Sequence, residues 1–304
     1  MKTPDWLSRH LSDLFAYVLI PGIALFLPAT WSLAILRRVS RWRWLMSAAA
    51  RAAYDGASEF TNIADEVAWI VRWKQVELLD IRDLYMLMLG RSAAVVGEIE
   101  CNVAVETAKD HVMIGMHWGP SVSILCLLER AGLKPAIPYR PPDKALLRVR
   151  PLLFVFSVVM SRYLIGTLGD RAVPVGGAGK VLRGMLDQPG CVFVVMDAPP
   201  MQGRPVLNAP VLGVNASFDA GFPATLAKRG KEYVFYAMNL HPDGTLRKQL
   251  ELKGPFNTED AQIFIDEYAA FLDSHLSSDS PHWRIWHVAR QFWSGSQDSG
   301  NKLA

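Results

Sequence analysis

The sequence predicts an α/β protein: a mixed, largely buried central sheet covered by helices, with an N-terminal hydrophobic membrane-anchor helix. Three observations point there. Short apolar runs broken by glycine and proline alternate with helical candidates along most of the chain, 304 residues suit one large domain plus an appendage, and Leu14 to Leu36 carries no charge. We divide the chain into an anchor with a basic flank (residues 1–55), an α/β domain (56–293) and a small, polar tail (294–304).

The charge-free run is long enough to cross or enter a bilayer's hydrocarbon core. Pro21, Gly22 and Pro28 would bend a helix there, so a kinked, tilted or interfacial helix stands beside a straight span. Arg37, Arg38, Arg41, Arg43 and Arg51 come next without an acid before Asp55, interleaved with Trp42 and Trp44. That flank suits anionic headgroups and places the rest of the chain on the cytoplasmic side. A cleaved signal peptide fits less well, since arginines stand where a small-residue cleavage site belongs. A buried core helix is the remaining reading, which the prolines and the arginine-tryptophan flank disfavour.

Ala57 to Gly90 reads as one helix with an apolar stripe from Ile63 to Leu84. Strands are expected at Val112 to Met116, Pro135 to Pro138, Ala172 to Val175, Cys191 to Met196 and Tyr233 to Leu240. Helices are expected at Ser121 to Ala131, Lys144 to Leu164, Ala178 to Leu186, Pro223 to Arg229 and Glu259 to Leu276. Pro151 to Met160 is short for a span and is followed by Arg162, so it reads as a core helix.

Composition narrows the function classes. At 51% hydrophobic and 20% charged the chain is too apolar for disorder and greasy for a freely soluble protein. A net charge of +3 without a basic module gives no footprint for nucleic acid. Cys101, Cys126 and Cys191 are odd in number and widely spaced, which reads as reduced, buried thiols without metal spacing.

The segment that carries chemistry is Val112-Met113-Ile114-Gly115-Met116-His117-Trp118-Gly119-Pro120-Ser121, an apolar strand running into His-x-Gly and a helix start. Strand carboxyl ends are where α/β sheets bind ligands, and a histidine there can act as a general base near pH 7. The helix start offers backbone N–H groups to a phosphate or oxyanion. A structurally satisfied histidine is the competing reading. Ser121 reads most simply as a helix cap, and a hydrolase built on Ser121 or Ser123 lacks a Gly-x-Ser-x-Gly elbow.

In these segments the chain resembles the bacterial late lipid A acyltransferases, the lauroyl and myristoyl transferases of the lysophospholipid acyltransferase superfamily. His117-Trp118-Gly119-Pro120-Ser121-Val122 stands where that family has His-x-Gly-Asn-Trp-Glu, and Tyr139-Arg140-Pro141 matches its Tyr-Arg-Pro. Val173-Pro174-Val175-Gly176-Gly177 and Pro189-Gly190-Cys191-Val192 match the run to its strand-end Asp-Gln, with Asp197 on the aspartate. Gly213 through Ala227 is similar to the stretch after its Phe-Phe-Gly, and Pro281, Trp283, Trp286, His287 and Arg290 to its tryptophan-rich finish.

The resemblance implies acyl transfer from acyl-carrier protein, or less often acyl-CoA, to a membrane glycolipid at the cytoplasmic face of a bacterial inner membrane, with no metal. His117 would take the acceptor's proton. Arg140 and amides near Gly119 would hold developing charge or an acceptor phosphate, with Tyr139 and Ser121 lining the substrate site. Arg140 as a loop salt-bridge residue, and Asp197 as a turn cap, are the alternatives. The chain departs from the family at the carboxylate five positions after the histidine, which is Val122, and at Ala198 for the glutamine. Asp197 is the first candidate to orient His117 instead, with Glu129 second. Otherwise His117 works unassisted, or the chain is a non-catalytic membrane protein that binds acyl chains or glycolipid and positions a partner.

Overall fold

A computed structural model describes residues 5–109, 111–133, 135–174, 178–186, 192–201 and 203–293. The strands among them are β1 (Ile99–Cys101), β2 (Val112–Gly115), β3 (Ile137–Tyr139), β4 (Ala172–Pro174), β5 (Val192–Val195), β6 (Val206–Val211), β7 (Val214–Asp219), β8 (Tyr233–Leu240) and β9 (Lys248–Phe256). Five make one mixed sheet in the order β1-β9-β8-β2-β5. β1 runs parallel to β9, β8 parallel to β2 and β2 parallel to β5, while β8 and β9 are antiparallel. β3 and β4 pair in parallel beside it, tied to β5 by a bridge between Ala136 and Val192, and β6 and β7 form a hairpin.

The centre of the sheet is buried on both faces, and its side chains alternate between two cores as the two-residue period of a strand requires. Met113, Phe193, Val234 and Tyr236 pack with Ile124 and Leu128 of the helix Val122–Arg130. Val112, Ile114, Val194 and Phe235 face the other core, with Phe264, Tyr268 and Leu272 of the helix Ala261–Asp279. Each fully buried side chain of this size contributes roughly 1.5–3 kcal/mol.

The stretch expected as one helix from Ala57 to Gly90 is two helices, Ser47–Ser58 and Glu66–Met88. Asp65 caps the second by accepting from the Ala68 N–H at 3.0 Å, and it is this cap that sets the start. The helix buries an ion cluster: Asp83 accepts from Lys248 Nζ at 2.6 Å and from Arg82 at 3.0 Å, and Arg82 also holds Glu98.

The N-terminal apolar stretch is likewise not one helix spanning Leu14 to Leu36. A helical run from Asp5 to Leu25, with a π-helical turn at Phe15–Leu19, is followed after Pro28 by the helix Ala29–Val39. Ala16, Tyr17, Ile20, Leu33 and Leu36 join the main core while Ile23, Phe26 and Trp31 point to solvent. The opposite correction holds for Pro151–Leu168: expected as a core helix, it buries only Leu164. Cys126 is buried as expected, but Cys101 is exposed on the edge strand β1. Gly176-Gly177, Pro189-Gly190-Cys191 and the tail from Ser294 lie outside the described residues.

Candidate active site

β2 and β5 are parallel neighbours with Gly115 level with Val195, so the residues two positions beyond, His117 and Asp197, emerge side by side at the carboxyl ends of the strands. His117 Nδ1 lies 2.8 Å from Asp197 Oδ1, and its main-chain N–H donates to Asp197 Oδ2 at 2.7 Å. The Trp283 indole N–H donates to the same Oδ2 at 2.6 Å. A carboxylate only accepts, so Nδ1 carries the ring proton and Nε2 holds the free lone pair. The Asp197 side chain is fully buried while that of His117 is 38% exposed, so the ring is anchored at one nitrogen and reachable at the other.

The loop carrying His117 is clamped by a segment far along the chain. Trp118 bridges Trp283, Gly119 N–H donates to His282 O at 2.9 Å, and Arg284 N–H donates to His117 O at 2.8 Å. Gly119 has φ +61°, and a Cβ there would sit 1.7 Å from Met238 O, so only glycine fits. Its own amide is engaged by His282 within the protein.

The helix start is occupied as well. The Val122 N–H donates to Asp80 Oδ1 at 2.8 Å, so a carboxylate of the protein takes the place expected for a bound anion. Arg284 ties the corner together, reaching Asp80 Oδ2 at 2.5 Å and Glu77 through two nitrogens at 2.6 and 2.9 Å. Burial pushes the Asp80 carboxyl up against the pull of Arg284, and the paired carboxylates hold the guanidinium above its ordinary range. Ser121 begins the helix but its side chain makes no capping bond, and Ser123 is buried with its hydroxyl on Pro120 O, which removes it as a nucleophile.

Tyr139 and Arg140 end β3, which the Ala136–Val192 bridge places next to β5. They share the sheet edge with His117 and Asp197, two strands from β2, or about 10 Å at ordinary strand spacing. Arg140 is exposed and makes no hydrogen bond or ion pair among the described residues. Glu129, the second candidate to orient His117, is exposed near the far end of its helix. No group of three or more potential metal ligands occurs among the described residues.

Trp283 and His287 carry no assigned task in the sequence, and Asp80, Glu77 and Arg284 stand in no motif there. Glu77 and Asp80, three residues apart and so on one face of their helix, were the available signal. His287 is pushed below the ordinary imidazole value by desolvation. No family model matches the chain, and no curated protein matches it at a significant level.

Proposed function

We propose that the protein transfers a fatty acyl chain from a thioester, carried by acyl-carrier protein or coenzyme A, to a hydroxyl or amine of a membrane lipid or glycolipid. His117 Nε2 takes the acceptor's proton as its oxygen or nitrogen bonds to the thioester carbonyl carbon. The carbon–sulfur bond then breaks and the imidazolium returns the proton to the departing thiolate. Asp197 fixes the tautomer and steadies the imidazolium, the work given to the residue five positions after the histidine in the family that the sequence resembles. Arg140 is the cation for an acceptor phosphate on the same edge. The location that goes with this chemistry is the cytoplasmic face of a bacterial inner membrane.

The observation that carries the reading is the His117–Asp197 pair: a buried carboxylate 2.8 Å from an imidazole whose other nitrogen is open. His117→Ala, at unchanged fold, is expected to abolish transfer of labelled acyl chain from acyl-carrier protein to the lipid fraction. Undiminished transfer removes His117 from the mechanism. A second reading, a lipid-binding protein without turnover, is favoured by the amides of Gly119 and Val122 being spent on His282 and Asp80. Turnover above background by the purified protein excludes it.

A further inference from the structure

Two apolar helical surfaces lie side by side. The N-terminal helical run meets the helix Pro151–Leu168 through Tyr17 and Phe156, whose rings are 5.0 Å apart, and through the Asp13–Arg150 ion pair. On their outer sides Ile23, Phe26, Trp31, Val155 and Ile165 are between 43 and 83% exposed. Soluble monomers rarely leave so many large apolar side chains in water on adjoining helices. Around it Arg9, Arg38, Arg41, Arg43, Arg148 and Arg162 are all exposed, and no acid lies between Leu146 and Leu168. In the N-terminal helices the acids are Asp5 and Asp13, the latter neutralised by Arg150.

Neither helix can be a span. Pro151–Leu168 is 18 residues, about 27 Å, but it joins β3 to β4, which pair in parallel within one small sheet. A single crossing would leave those paired strands on opposite sides of the bilayer. The N-terminal run packs one side into the protein core, so lipid cannot surround it.

We propose that these helices form one monotopic face, which inserts into a single leaflet of an anionic bilayer, its tryptophans and arginines at the headgroup level. The face deepens the acyl-transfer reading by setting the side from which an acceptor lipid arrives, although its own support is independent of that reading. A cavity of about 120 Å³, lined by Tyr17, Leu153, Phe156, Val122, Asp80 and Arg284, lies between the face and the strand-end site.

Flotation of the full-length protein with phosphatidylcholine vesicles, with and without phosphatidylglycerol, tests the proposal. Binding is expected to need phosphatidylglycerol and to be released by alkaline carbonate. Each arginine removed, as in Arg41→Gln or Arg43→Gln, should weaken it roughly fivefold. Phe26→Glu with Trp31→Glu, both at exposed positions and checked by circular dichroism for unchanged fold, should weaken it more than tenfold. Resistance to carbonate would mean a span and overturn the proposal. So would equal binding to neutral vesicles, or a dimer in solution with no vesicle binding, since a second copy would then cover the face. His117→Ala should bind vesicles like the unaltered protein, which separates failure of this inference from failure of the acyl-transfer reading.

Discussion

Replacing Asp197 with asparagine separates the orientation of His117 from its presence. Asp197 Oδ2 faces two N–H groups that cannot turn round, the His117 main chain at 2.7 Å and the Trp283 indole at 2.6 Å. The amide oxygen of asparagine therefore takes that side, and its NH₂ faces His117 Nδ1. Two donors would collide there, so the imidazole adopts the other tautomer, with Nδ1 accepting and Nε2 protonated. Nε2 then carries a proton and cannot accept one, without removal of a ring. An asparagine at the orienting position of a Ser-His-Asp triad lowers rate by about 10⁴, and a fall of roughly 10³–10⁴ is expected here, about 4–5.5 kcal/mol of barrier. Stability should fall by only about 1–2 kcal/mol, since the two Oδ2 bonds survive in neutral form. Asp197→Ala should destabilise more, because it strands the fully buried Trp283 indole without an acceptor. The assay is initial-rate transfer of labelled acyl chain into lipid, with thermal melts on both variants. A rate for Asp197→Asn within tenfold of the unaltered protein, at matched melting temperature, would refute the tautomer argument.

Other outcomes rest on the same geometry. Gly119→Ala should prevent folding or cost several kcal/mol, because the methyl group would meet Met238 O at 1.7 Å and the backbone sits at φ +61°; a melting temperature within about 2 °C of normal would sink that account. His287 is held below its ordinary value, so the unfolded chain binds the extra proton first. Stability from this group is therefore full above about pH 6.5 and is lost as pH falls towards the depressed value. Comparing denaturation at pH 5 and pH 7 should show that slope shrinking in His287→Gln, and an unchanged slope would discard it. Lys248→Met leaves Asp83 charged and buried with only Arg82 on that side, so roughly 3–5 kcal/mol should be lost; adding Asp83→Asn should restore part of it, whereas additive losses would show the two groups are uncoupled.

Much of the frame was legible because burial imposes a pattern. Val112 to Gly115, Val192 to Val195 and Tyr233 to Leu240 are nearly uninterrupted apolar runs, as strands buried on both faces are. β9 escaped notice although Lys248-Gln-Leu-Glu-Leu-Lys alternates at period two, since its charges read as loop. The β6–β7 hairpin turns on Leu212 and Gly213, both at positive φ, and a leucine there gives none of the usual Asn-Gly signal. Asp273 Oδ1 holds the Leu212 N–H at 2.5 Å, a contact 61 residues away that no local reading supplies. In the same way His117 and Asp197 were each legible as strand-end residues. Their pairing was expected only as the first of two candidates, with Glu129 second, because it depends on β2 and β5 being neighbours, with 80 residues between them. Pro151–Leu168 misled for the converse reason: composition says apolar, and only the fold says which side lacks a cover.

The level alignment of Gly115 with Val195 has a consequence for how such a site can change. His117 and Asp197 each stand the same two steps past the end of their strand, so their meeting is written in main-chain registration. A valine at position 122 leaves the His117–Asp197 pair whole. Insertion of one residue into either loop would pull it apart. Deep mutational scanning should therefore find the turns after these two strands intolerant of changes in length.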